Sequence, residues 1–564
     1  MLSESYIKQE RTFVDDGLKT VIECIKKNAE ILGDREAIVF ASYKGGREVV
    51  TWNELKEKSE AVAKSFVKLG IRPGDFVAIN LRACPQWLYA AFGAMTAGAC
   101  MASISFTYTD GSDLVATMEK IKKCKVLVMD PGVDGQNWSI VKPFLEEYSP
   151  DGEVRSSRMP YLKYLFGYEK DEEKHMVGVG KIDDVINDAN PDVILPEITE
   201  NMLALLFQTS GSTGVPKLVA HTHRNLLCIR ESTSGPATEA LEAKNVPFND
   251  RPFTWLGGFP WSVISGQKRV TISGFEPLPE DRVAGVIDVI TRERCNILTA
   301  LPPMIHEMTI RKNELPSDWP LTILLTGGQP LKNVISEAIG SVAPVLLSIY
   351  GGTEFSIITS GLATGSNFRE YLCGKLIGGP RLEIKIVDEN EEIVPVNTRG
   401  ELYVRSDAIF QEYLNDPVKT AAVKTSDGWY KSDDIGMINE NGELFIYGRK
   451  SFLIISGGMN VAPEILEHAL EQHPGVATAV VVPIPDEVHY QVPCACILRE
   501  KGSDVTEEQM RAYCEGIHND KVGLFTILPK YYLFFETLPE TITGKVSRPS
   551  LIKIAQGMVQ DLEN

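Results

Sequence analysis

What most constrains this chain is a rhythm: short apolar runs alternate with helical periodicity through most of the first 440 or so residues. TWNELKEKSEAVAKSFVKLG (51–70) predicts a capped amphipathic helix closed by Gly70. DFVAINL (75–81) predicts a strand and PQWLYAAFGAMTAG (85–98) a buried helix. KVLVMD, NILTAL, LTILLTGG and PVLLSIYGG predict further strands. The expectation is an α/β protein, with a large N-terminal domain of layered, largely parallel sheets covered by helices. Such sheets place ligands beyond the carboxyl ends of their strands, so clusters that directly follow these runs can share one cleft. Residues 131–200, rich in Asp, Glu, Gly and Pro, are expected at the periphery.

After GELFIYGRK (442–450) the character changes. SFLIISGG reads as a strand ending in two glycines, PEILEHALEQHPG as a helix begun at Pro463, and VATAVVVPIPD as a strand. These predict a small α+β C-terminal domain, and the chain divides into residues 1–447 and 448–564. Two domains joined by one short connection move by default, so the smaller one is expected to be mobile.

Bulk properties narrow the function. The chain has 564 residues, 43% of them hydrophobic, ample for more than one domain. Its 57 basic and 76 acidic residues leave a formal charge of −19, which argues against nucleic acid or an anionic membrane as partner. Ten cysteines form no CxxC pair and read as reduced core residues. HTH (221–223) makes no metal signature, and its two histidines are expected in structural or capping roles. No apolar run reaches the about 18 residues of a membrane span, the N-terminal segment is too acidic for a targeting helix, and DLEN is no peroxisomal signal. The expected location is the cytoplasm.

The chemistry is carried by five stretches. TSGSTGVPK (209–217) follows the strand-like MLALLF, and its glycines and hydroxyls suit phosphate oxygens, with Lys217 adding positive charge. It is not the P-loop of nucleotide hydrolases: Lys217 lies between Pro216 and Leu218, and LVAH looks like another strand rather than a helix. YGGTE (350–354) offers an aromatic face, two glycines, a hydroxyl and a carboxylate after a strand. WYKSDDIG (429–436) gathers acids near aromatics, GRKSFLIISGG (448–458) opens with an arginine, and LPETITGKVSR (538–548) places Lys545 in what reads as an exposed turn tip. Alone, each has a plain alternative: a surface turn, a solvated acidic patch, an interdomain ion pair. Their joint occurrence in this order is what carries weight.

In that order the sequence resembles the adenylate-forming superfamily of acyl-CoA synthetases, stand-alone adenylation domains and beetle luciferase, over about residues 30–555. The resemblance implies an enzyme that joins a carboxylate to the α-phosphate of ATP, expels pyrophosphate and passes the acyl group to a thiol. Thr209, Ser210, Gly211, Ser212, Thr213, Gly214 and Lys217 would hold the β- and γ-phosphates, and the bond broken would lie between α- and β-phosphorus. Thr213 and Glu354 would hold Mg²⁺, which prefers oxygen ligands and bridges phosphates. Tyr350 would cover the adenine, with Gly328 and Gln329 along its edge and Gly351, Gly352 and Thr353 completing the motif. Asp434 would take the ribose hydroxyls, with Arg449 nearby, and Lys545 would bridge the substrate carboxylate and the α-phosphate.

The departures from the pattern are also informative. The family's Thr-Gly-Asp is Ser432-Asp433-Asp434 here, which leaves both Asp433 and Asp434 as ribose ligands, with Asp434 favoured by register. Ser451 stands at the hinge, where relatives carry Asp or Lys. FTWLGGFPWSV (253–263) replaces an aromatic-histidine stretch and brings Trp255, Phe259 and Trp261 to the acyl pocket. With no Asp or Glu between 252 and 275, an uncharged medium-chain fatty or aryl acid is expected over an amino acid. Ser456, Gly457 and Gly458 resemble the pantetheine tunnel of CoA ligases. The expectation is therefore an acyl-CoA synthetase acting on a small carboxylic acid with ATP, Mg²⁺ and CoA. A loader of a separate carrier protein, a luciferase-like oxygenase and a nucleotide-binding pseudoenzyme are the alternatives.

Overall fold

The helix expected over 51–70 spans Trp52–Lys68, and Thr51 caps it by accepting the Glu54 amide at 3.2 Å. The buried helix spans Pro85–Thr96, opened by its proline and buried at every position except Gln86. These assignments come from a computed structural model that describes residues 2–10, 16–106, 110–170, 175–188, 190–209, 217–233, 245–328, 331, 333–379, 381–456, 459–461, 463–486, 490–520, 527–541 and 545–563.

Two sheets build the large N-terminal part. The first has eight strands, in the order 180–181, 164–167, 124–129, 76–80, 100–103, 203–209, 217–222 and 412–413. The first six run parallel, and the last two add antiparallel. The segment expected to be peripheral thus supplies the outer edge of this sheet, with Leu165 and Phe166 buried beneath it.

The second sheet has fourteen strands. Glu36–Ala41, Arg269–Ile272, Pro247–Phe248, Ile297–Thr299, Ile323–Gly327 and Val345–Gly352 pair in parallel. From Ser356 onward every added strand is antiparallel, so the sheets are mixed, and the expected parallel order holds for the first sheet and one half of the second. The reason lies in the connections. Parallel neighbours need a crossover, and between Val345 and Arg449 the only α-helix among the described residues is Pro417–Val423.

Between two strands of this second sheet, Gly400–Ser406 and Tyr430–Ile438, the chain crosses over to lay Glu412–Tyr413 on the edge of the first. That excursion stitches the two sheets together next to YGGTE, where the Phe410 amide donates to the Glu354 carbonyl at 2.7 Å.

The smaller C-terminal domain is a five-stranded sheet with the helices Pro463–Leu470, Glu507–Asp520 and Arg548–Glu563. Its centre is the antiparallel pair Val476–Asp486 and Tyr490–Arg499, flanked by the parallel strand Tyr531–Phe535. The sheet buries Val481 and Ile497 on one side and Val482 and Cys494 on the other, where Leu551 covers them. All ten cysteines are free and all but Cys373 are buried, as expected. No helix among the described residues is long and apolar enough to cross a membrane.

Candidate active site

Ile323–Gly327 and Val345–Gly352 are parallel neighbours with Gly327 opposite Ile349, so Gly328 and Tyr350–Glu354 emerge together at one end of the sheet. The loop from 209 leaves the carboxyl end of a strand in the other sheet, where Thr209 pairs with Lys217. Of that loop's expected residues, Thr209 and Lys217 are described; Ser210, Gly211, Ser212, Thr213 and Gly214 lie outside the described residues, as do Gln329, Gly457 and Gly458. At Gly351 an added Cβ would stand 2.2 Å from the Ser356 carbonyl oxygen, so the turn closes only on a glycine.

The densest side-chain network surrounds Asp434. The Tyr350 hydroxyl donates to Asp434 Oδ2 at 2.5 Å, and Arg449 Nε lies 2.8 Å from Oδ1. Asp434 and Arg449 face each other across antiparallel strands, which fixes the pair through the backbone. Of the two candidate acids, Asp434 is the one set between Tyr350 and Arg449, and only 6% exposed. Asp433 sits at φ +65°, the left-handed region that favours the glycine of the Thr-Gly-Asp pattern. Burial raises the Asp434 carboxyl above its ordinary range, with Arg449 and Tyr350 pulling the other way.

Lys545 comes from the smaller domain and reaches this corner. Its Nζ donates to the Gly328 carbonyl at 2.6 Å, and Gly328 holds φ +82° to present that oxygen. The ammonium also lies 5.8 Å from the Trp255 ring centroid. Burial, then the nearby Arg449 charge, lowers its pKa, with Asp434 opposing. The expected exposed turn tip is therefore corrected: Lys545 is half-buried, because docking of the two domains covers a residue that local sequence would leave in water.

Glu354 is braced from the other sheet. The Tyr413 hydroxyl donates to Glu354 Oε1 at 2.8 Å, and Lys217 Nζ lies 5.0 Å from the Tyr413 ring centroid. His221 Nε2 lies 2.8 Å from the Thr353 carbonyl oxygen, and His223 Nδ1 accepts the Val21 amide at 3.3 Å. Burial lowers both imidazoles to about 4, and each is engaged by backbone, which fits the expected structural role. No group of three or more His, Cys, Asp or Glu gathers among the described residues. One carboxylate, Glu354, suits Mg²⁺, which binds through one or two carboxylates plus substrate phosphates and keeps several waters.

The three aromatics expected at the acyl pocket have different surroundings. Phe259 is 1% exposed, in a cluster with Trp87, Phe92, Phe207 and Trp261. Trp261 is half-buried and donates to the Leu256 carbonyl at 2.8 Å, while half-buried Trp255 faces Lys545. Sequence reasoning missed what holds this segment. Arg269 is 3% exposed, and its guanidinium donates to the carbonyls of Asn249, Arg251, Gly258 and Phe259. It missed Tyr413 too, because a two-residue strand leaves no periodicity to read. Elsewhere, Ser456 is buried in the C-terminal sheet with no hydrogen-bond partner for its hydroxyl among the described residues, and Ser451 lies in the turn Lys450–Phe452.

Comparison with known proteins gives a consistent result. The family model described as AMP-binding enzyme matches residues 25–414, and that of the AMP-binding enzyme C-terminal domain matches 466–545. A mitochondrial medium-chain acyl-CoA ligase of Mus musculus is 28% identical over 572 residues, covering 96% of this chain and 88% of the relative. 4-Coumarate–CoA ligase 4 of Arabidopsis thaliana is 26% identical, covering 92% of this chain and 88% of its own length. Among solved structures, ATP-bound MatB from Rhodopseudomonas palustris superposes with a TM-score of 0.76 at 21% identity, over 95% of this chain and 99% of that one. The anthranilate CoA ligase AuaEII with anthranoyl-AMP reaches 0.78 at 19% identity, over 96% and 98%.

Proposed function

From the premise that this chain belongs to the AMP-binding enzyme family, as an AMP-forming acid–CoA ligase, we propose that it activates a medium-chain fatty or aryl acid whose acyl chain is uncharged. The observation that carries the site assignment is Lys545 Nζ on the Gly328 carbonyl, beside the Tyr350–Asp434–Arg449 network. There a cation from the smaller domain meets the residues proposed to hold the nucleotide.

In the first step a carboxylate oxygen of the acid bonds to the α-phosphorus. The bond from that phosphorus to the bridging oxygen breaks, and pyrophosphate leaves with the electron pair. Lys545 lies between the two anions and offsets the charge that builds as they close. Tyr350 and Gly328 flank the adenine, and Asp434 retains acceptor capacity for the ribose hydroxyls beyond its bonds to Tyr350 and Arg449. Glu354 and Thr213 would hold Mg²⁺, which neutralises phosphate charge when bound. In the second step the CoA sulfur bonds to the acyl carbon and AMP departs.

The acid is proposed from Trp255 and Trp261, half-buried aromatics in a segment free of acidic residues. The medium-chain ligase and the 4-coumarate ligase named above are relatives for fatty and aryl acids respectively. The test is pyrophosphate release across a panel of carboxylic acids, with and without CoA. The expected result is acid-dependent release and CoA consumption with medium-chain or aryl acids. A strong preference for a free amino acid overturns the substrate class, and no acid-dependent release overturns the activity.

The domain division, drawn at 447/448 from the sequence and set just past Arg449 because the strand Leu444–Arg449 is still paired in the large sheet, and the hinge at Ser451 belong to the same proposal, with Ser456, Gly457 and Gly458 beside the pantetheine. A proline at 451 would fix φ near about −65°. Ser451→Pro is expected to impair thioester formation more than adenylate formation, and equal loss in both steps removes Ser451 from the hinge.

A further inference from the structure

We propose that Tyr413 is a positioning residue that holds the Glu354 carboxylate in its metal-binding orientation and ties it to the lysine closing the phosphate loop. The inference rests on the reading of Glu354 as the Mg²⁺ ligand. Tyr413 is 1% exposed, in the edge strand Glu412–Tyr413 of the eight-stranded sheet, yet its hydroxyl reaches Glu354 of the fourteen-stranded sheet at 2.8 Å. Its ring lies 5.0 Å from Lys217 Nζ, so one side chain touches residues from both loops proposed to meet the phosphates.

The choice of tyrosine is specific. Phenylalanine would fill the same buried space, and Phe410 packs against this ring at 4.8 Å. What tyrosine adds is one hydroxyl, and a buried hydroxyl must find an acceptor. It finds a carboxylate, the strongest kind of acceptor for a neutral donor. A free glutamate samples several rotamers, and selecting one in advance removes that entropy from metal binding. The Phe410 amide on the Glu354 carbonyl at 2.7 Å fixes the backbone of the same residue, so Tyr413 has only the side chain left to set. Outer-shell partners of this kind change metal affinity by about 10–100-fold.

The test is titration calorimetry of ATP and AMP, in Mg²⁺ and in EDTA, on the full chain and on Tyr413→Phe. In the parent, Mg²⁺ is expected to tighten ATP binding. In Tyr413→Phe that tightening should shrink by about tenfold or more, while AMP binding and ATP binding in EDTA stay within about twofold. Unchanged AMP binding also shows that the variant is folded. In a Glu354→Gln background, Tyr413→Phe should have no further effect, since it acts through that carboxylate. A Tyr413→Phe protein with the full Mg²⁺ gain overturns the inference, and so does a further loss on the Glu354→Gln background. A parent that binds ATP with no response to Mg²⁺ overturns the reading of Glu354 as well. A parent that binds neither nucleotide overturns the proposed function itself.

Discussion

Two contacts at the proposed nucleotide corner differ in kind. Asp434 is held by Tyr350 and Arg449 within a single sheet, across paired strands, and is nearly inaccessible. Lys545 arrives from another domain and rests on a single carbonyl, that of Gly328. A network made within one sheet is fixed when the domain folds. A contact across a domain boundary is kept only while the domains stay docked. On the proposed function, the corner made within one sheet would serve ground-state binding, and a lysine carried by a moving domain would meet a charge that develops during one step and be withdrawn for the next.

The largest expected effect breaks the movable side. By comparison with an oxyanion donor, Lys545→Ala should lower the adenylation rate by at least about 100-fold, with little change in ATP affinity. Supplied with preformed acyl-adenylate and CoA, it should form thioester at close to the parent rate. Near-normal adenylation would remove Lys545 from the mechanism, and near-normal folding is expected, within about 1 kcal/mol, because one hydrogen bond is lost.

Asp434→Asn probes the fixed side. It exchanges a charged acceptor for a neutral one beside Arg449, at the position proposed for the ribose. ATP and AMP should both bind about tenfold more weakly, since a hydrogen bond to a charged group contributes roughly 1.5–3 kcal/mol. Equal weakening of the two nucleotides is the signature of a ribose contact. Loss for ATP alone would place Asp434 elsewhere.

The smallest effect concerns the seam itself. Glu464, at the start of the helix Pro463–Leu470, lies against Gly448, where an added Cβ would stand 2.1 Å from its Oε1. Burial, then the charge of Glu467, raises its pKa from 4.5 to about 7, against the opposing pull of Arg548 and the Arg449 amide. The docked state therefore favours the protonated acid. The stability this confers is complete below pH 4.5 and is lost as pH rises through about 7. Glu464→Gln stays neutral, so at pH 8 it should be more stable than the parent by about 1–2 kcal/mol, after discounting for partial solvent contact. Thermal unfolding at pH 5 and pH 8 checks this, and identical pH dependence in both proteins would show that the carboxyl does not titrate at the seam.

The sequence by itself determined the elements whose information is local. The helix Trp52–Lys68 announced itself through its cap and spacing, and the parallel strands through apolar runs. His221 and His223 meet different partners because the strand ends at Thr222 and a helix begins at His223, a change of element that their spacing alone does not show. Tertiary structure alone decided the rest. The antiparallel pairing after Ser356, where Pro417–Val423 is the only α-helix among the described residues up to Arg449, and the strand order are not encoded in any one strand. Arg269 reads as a surface charge until four carbonyls close around it. Tyr413 gains its role from a chain crossing between two sheets, and Lys545 its burial from a second domain. Each depends on contacts that periodicity does not describe: a loop folded back around Arg269, a second sheet for Tyr413 and a second domain for Lys545.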